Sequence, residues 1–151
     1  MFNRMFTQFV KKHFDGESLV GAEIGVKYGL NAFDLMYHLN LRRLYLVDIA
    51  TDLFKVNVSD IPFVRVIECN SRDCYENVDE VLDFVYIDAS HFYQDVKEDV
   101  RLAYDHVKPG GVVGGHDFTA HYDGVVRAVL EFSDDNDLLL QGNNNDWWFV
   151  K

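Results

Sequence analysis

Five short, nearly uninterrupted apolar runs, "LVGAEIGV", "RLYLVDI", "FVRVIEC", "LDFVYIDA" and "GGVVGGHD", alternate in this chain with segments of helical periodicity. A strand that shows one face to water alternates polar and apolar residues, whereas continuous apolarity marks strands buried on both faces. Such strands, separated by helices, pair in parallel beneath two helical layers. The pattern predicts an α/β fold with a doubly wound, mostly parallel Rossmann-like sheet. At the end, "DLLLQ" and "WWFVK" flank the turn formers of "GNNND", which adds an antiparallel hairpin and brings the expected total to about seven strands. At the start, Met1, Phe2, Met5, Phe6, Phe9, Val10 and Phe14 recur at three- and four-residue steps. Residues 1–14 should form an amphipathic helix that packs on the domain or joins a homo-oligomer.

The 151 residues suit one domain, 1–151, with a single site. No run reaches the ~18 apolar residues of a membrane span, and the opening segment lacks the apolar core of a secretory signal, so a cytoplasmic protein is expected. A net charge of -11 with scattered Lys and Arg repels phosphate backbones and acidic lipid surfaces, which argues against nucleic acid and membrane partners. Cys69 and Cys74 stand in a C-x4-C spacing without further Cys or His partners, and read as two reduced thiols.

In an open parallel sheet a ligand occupies the crevice at the carboxyl ends of the strands. The first strand ends in "GAEIGVKYG", where Glu23, Gly25 and Gly29 mark a tight turn into a helix whose free N–H groups suit an anion. The second ends in Asp48, placed to accept hydrogen bonds from vicinal ribose hydroxyls. A nicotinamide dinucleotide would want glycine where Glu23 stands, so these four residues fit a nucleoside carrying a small anionic group better than NAD. "EIGVKYG" and "LYLVDI" resemble the first two motifs of the class I S-adenosylmethionine-dependent methyltransferases. That resemblance implies S-adenosyl-L-methionine as cofactor, with Gly25 and Gly29 beside its methionine part, Asp48 on its ribose, and Asn70 and Ser71 at its adenine. It places Glu23 in support of the loop. "CNSRD" also reads as a helix N-cap, a role compatible with the adenine one.

Asp88 ends the fourth strand, His91 follows it, and His116 and Asp117 end the fifth, so one rim can collect all four. Converging carboxylates need a proton or a cation to coexist, and a divalent ion answers that need. "YIDASH" with "GGHD" resembles the metal-dependent small-molecule branch of those methyltransferases, the catechol O-methyltransferase type and the group around cephalosporin hydroxylase and the macrolide sugar O-methyltransferases. The resemblance implies a metal, magnesium or manganese, on Asp88, His116 and Asp117, and an imidazole at position 116 suits manganese, iron or zinc better than magnesium. His91 is the candidate base, since an unperturbed imidazole titrates near pH ~6.5, and Asp88 completes the catalytic pair. The activity so implied is O-methylation of a small molecule or sugar. The rival readings are a non-catalytic binder of S-adenosylmethionine or S-adenosylhomocysteine, and a nucleotide-sugar or NAD enzyme on the same architecture. "IATDLFKVNVSDIP" leaves little cover between the second and third strands, so the adenosine side should be open.

Overall fold

The computed structural model describes residues 4–58 and 60–151. Its elements follow the order α1 (Met5–His13), β1 (Leu19–Ile24), α2 (Leu30–His38), β2 (Leu41–Asp48), α3 (Lys55–Val58) and β3 (Val64–Glu68). A 3-10 turn at Cys74–Asn77 then leads to β4 (Leu82–Ile87), α4 (Tyr93–His106), β5 (Val107–Gly115), α5 (Asp123–Asp135), β6 (Gln141–Asn143) and β7 (Asp146–Val150). The seven strands form one sheet in the order β3-β2-β1-β4-β5-β7-β6, parallel from β3 to β5 and antiparallel beyond it.

Alternate residues of each buried strand enter opposite layers, because successive side chains leave a strand on opposite faces. Val85 and Ile87 pack under α4 and α5 with Val96, Val100, Val125 and Val129. Phe84 and Tyr86 pack on the other side with Phe6, Val10 and Leu35 from α1 and α2. The buried face of α1 is therefore occupied within its own domain: Phe6 meets Tyr86 edge-on at 4.9 Å, and Phe9 lies 5.2 Å from Trp148. Asp146, buried in β7, anchors that helix by accepting hydrogen bonds from the Phe6 N–H at 3.1 Å and the Tyr86 hydroxyl at 2.9 Å. Met1 and Phe2 of the predicted helix lie outside the described residues.

The hairpin is shorter and later than its sequence suggested. "DLLL" is not strand, and pairing begins only at Gln141, with Gln141 opposite Trp148 and Asn143 opposite Asp146. Asn144 and Asn145 make the turn at φ 51 and 70, the two positive values that a two-residue hairpin turn demands and that Asn tolerates. Between β2 and β3, α3 is a single turn, and Ile49, Leu53 and Val56 stand exposed around it, so that side of the sheet is thinly covered, as the short connection required.

Strand register decides what meets at the carboxyl edge. Ile24 pairs with Val47 on one side and Ile87 on the other, and Ile87 pairs with Gly115. Gly25, Asp48, Asp88 and His116 therefore leave the sheet from one row. The crossover reverses between β1 and β4, and the crevice opens there.

Candidate active site

Gly25, Asp48, Asn70, Ser71 and Asp88 line a cavity of about 540 Å³ at that edge. A Cβ on Gly25 would lie 2.3 Å from the Asp88 carbonyl oxygen, and φ there is 86, so the first loop closes against β4 only because position 25 has no side chain. Asp48 shapes the same loop. Its Oδ2 accepts from the backbone N–H groups of Val26 and Lys27, both at 2.8 Å, and its Oδ1 accepts from the Ala50 N–H at 3.0 Å. A carboxylate offers about four acceptor directions, so Asp48 can organise the loop and still take a ligand hydroxyl. Asn70 lines the cavity and accepts the Arg72 N–H at 3.0 Å; it is not the N-cap that its sequence suggested, since the short helix Cys74–Asn77 has its N-cap at Asp73. Glu23 and Gly29 are not on the cavity wall. Glu23 is 1% exposed inside β1 beside Asn31, and burial holds its carboxyl well above the ordinary range; Gly29 caps α2.

Next to the cavity, through Asp88 and Ser90 that border both, the predicted rim assembles around a small separate hollow. His91 Nε2 lies 2.7 Å from Asp117 Oδ2, and His116 Nδ1 lies 3.0 Å from Asp117 Oδ1. Donor atoms of Asp88, His116 and Asp117 fall within 4.8 Å of one another. Burial pushes the Asp88 carboxyl above its ordinary value, with His116 opposing the rise and Asp117 adding to it. Two local features create this geometry. Gly115 lets β5 approach β4, since a Cβ there would lie 2.2 Å from the Ile87 carbonyl oxygen. Asp117 adopts left-handed backbone at φ 61, where the chain leaves the strand direction, a conformation Asp accepts more readily than most residues.

Sequence reasoning missed four wall residues. Lys27 and Arg72 bring cations to the cavity, and Ser90 and Asp95 complete its wall. Arg72 Nη2 donates to Asp95 Oδ1 at 2.6 Å, and the Ser90 hydroxyl donates to Asp95 Oδ2 at 2.8 Å. It also missed Tyr122, whose ring stacks on His91 at 4.1 Å and limits its rotation. The faint signal for Ser90 and Asp95 was a hydroxyl and a carboxylate around the first turn of a helix that follows a strand. His121, in the loop after Asp117, meets Tyr122 edge-on at 4.7 Å.

A family profile described as a methyltransferase domain matches residues 22–118, more than half of the chain, from within β1 to just past β5. The chain belongs to that methyltransferase-domain family. Comparison with curated protein sequences finds no match. Among solved structures, this methyltransferase-domain chain is similar to a Staphylococcus aureus protein described as a caffeoyl-CoA O-methyltransferase. Identity is 17% and the TM-score 0.78, over 100% of this chain and 85% of that one. It is also similar to the MycE methyltransferase of mycinamycin biosynthesis, solved with Mg and SAH, at 20% identity and TM-score 0.73. The chain is covered in full there but spans 50% of MycE. A Streptococcus thermophilus rRNA methylase shares the fold as well, at 17% identity and TM-score 0.73, with 99% and 96% of the two chains covered. At such identities these likenesses establish a shared fold, the Rossmann-like methyltransferase architecture.

Proposed function

We propose that this methyltransferase-domain protein transfers the methyl group of S-adenosylmethionine to a hydroxyl oxygen of a small molecule or sugar. The observation that carries the reading is the His91–Asp117 pair, 2.7 Å apart, which shares Asp88 and Ser90 with the cavity of about 540 Å³ that the Gly25 loop lines. The cavity's fittings suit the cofactor: a loop pressed close by a glycine, an acid at the end of β2, and polar residues 70 and 71 at the far end. S-adenosylmethionine, when bound, supplies a sulfonium methyl that an oxygen nucleophile can attack in line.

The chain's own residues do the rest. A carboxylate can only accept, so the 2.7 Å contact places the His91 proton on Nε2 and leaves Nδ1 to take the proton of the acceptor hydroxyl. Asp117 orients that imidazole and stabilises its protonated form, while Tyr122 packs against its face. Asp88, His116 and Asp117 are a fitting donor set for a divalent ion, two carboxylates and an imidazole with mutually close donor atoms. A metal held there would lower the acceptor hydroxyl's pKa. MycE, solved with Mg and SAH and also with Mycinamycin VI, supports the cofactor, the ion and a small acceptor. An RNA acceptor is disfavoured by the net charge of -11. Among the described residues no helix is long and apolar enough to cross a membrane, and the two free thiols, Cys69 and Cys74, suit a reducing, cytoplasmic setting.

Calorimetric titration with S-adenosylmethionine, S-adenosylhomocysteine and NAD, each with and without Mg or Mn, tests the reading. S-adenosylhomocysteine should bind and NAD should not; the reverse sinks it. A mass-spectrometric screen of hydroxylated acceptors then separates an enzyme from a passive binder, since the latter yields no methylated product.

A further inference from the structure

Helix α4 turns Val96, Val100 and Ala103 into the core, and on that same face it buries Asp99, which is 3% exposed. The other buried aspartates have work to do in the fold. Asp146 accepts from two donors of α1 and β4, and Asp34 accepts from the Arg4 N–H and lies 3.6 Å from His38. Asp99 has no such anchor. Its carboxyl faces the Ser71 hydroxyl without closing a full hydrogen bond. Burial pushes that carboxyl up to about 6, and Ser71 pulls it back down.

The groups around it do not neutralise it. From the loop after β3 come Ser71 and Arg72, and the Arg72 guanidinium is already engaged by Asp95 at 2.6 Å. From the 3-10 turn come Cys74, its thiol pushed to about 12, and Tyr75, its hydroxyl raised well above the ordinary value, so both are neutral. From its own helix come Asp95 and Glu98, which add like charge. A weakly partnered buried carboxylate destabilises a fold, and such residues persist where a site uses them. Ser71, the hydroxyl that its carboxyl faces, belongs to the cavity wall.

We propose that Asp99 is a positioning residue for the cofactor: ionised, it draws the Ser71 hydroxyl inward and holds residues 70–72 in the conformation against which adenine rests. This builds on the methyltransferase reading above.

Titration calorimetry with S-adenosylhomocysteine tests it on wild type, Asp99→Asn, Ser71→Ala and the double variant. Near pH 8, Asp99→Asn should bind about fivefold more weakly or worse, the worth of one hydrogen bond, and Ser71→Ala should lose as much with no further loss in the double variant. Wild-type affinity should fall as pH drops through about 6, while Asp99→Asn stays flat. Because the folded-state carboxyl is raised, its contribution to stability is lost as pH rises through that value, so Asp99→Asn should melt higher than wild type, most of all near pH ~8. Equal affinities for wild type and Asp99→Asn, or additive losses in the double variant, overturn the proposal alone. Collapse of the fold in both Asp99→Asn and Asp99→Leu also overturns it, because the carboxylate would then be structural. If wild type binds no S-adenosylhomocysteine at all, the cofactor reading fails and this proposal with it.

Discussion

The two ends of the crevice satisfy their charges differently. At the end proposed for the cofactor the Asp48 carboxylate takes three backbone N–H groups, so its position is set once the sheet and first loop fold. At the end proposed for the reaction the charged groups answer to one another: Asp117 is shared between His91 and His116, and Asp88 sits partly buried with its carboxyl raised. Backbone donors cannot leave, whereas side chains re-pair when a proton, a metal or an acceptor arrives. The first end is built to hold, and the second to respond.

The largest predicted effect separates the two ends most sharply. His91→Ala should lower methyl transfer by about 10²- to 10⁴-fold while leaving S-adenosylhomocysteine affinity unchanged in calorimetry. Equal loss of both would mean that the rim and the cofactor cavity are one unit. Asp48→Ala should do the opposite. Orphaning three backbone donors should weaken S-adenosylhomocysteine binding by about 100-fold, roughly 3 kcal/mol, and lower the melting temperature. Unchanged affinity would show that the loop holds itself. Next in size, saturating Mn should raise the melting temperature of wild type by several degrees, and much less that of Asp117→Asn, since a ligand at 100-fold excess over its Kd adds about 2.7 kcal/mol. Equal shifts in both would place the ion elsewhere. Smallest is Arg72→Ala, which breaks an exposed pair with Asp95 and should cost a few-fold in affinity at most. A loss near that of Asp48→Ala would assign Arg72 a direct cofactor contact.

Much of the crevice was readable residue by residue, and the exceptions share a cause. The motif acids Asp48 and Asp88 stand where strands end, a position that apolar runs make visible. Asp48's three amide partners were not visible, because they depend on the path of the following loop. Asp99 was hidden in "YQDVKEDVRLAYDHV": the helical period sets it on the face of Val96 and Ala103, its charge suggests the wet side, and only the packing of α4 against α5 shows it buried. The hairpin shifted because "DLLL" has the right composition for a strand, whereas the two left-handed Asn residues set where the chain reverses.

The sequence by itself determined the five parallel strands and the long helices, since continuous apolar runs and the 3.6-residue period are local and survive without partners. It also determined that acids and imidazoles follow the fourth and fifth strands. Only the tertiary structure decided that they meet. The order β1-β4-β5 and the register row through Ile24, Ile87 and Gly115 bring Asp88, His91, His116 and Asp117 together across 30 positions of chain. Pairing between distant strands is fixed by their shared core and by the glycines that allow close approach, and neither is written in any one segment.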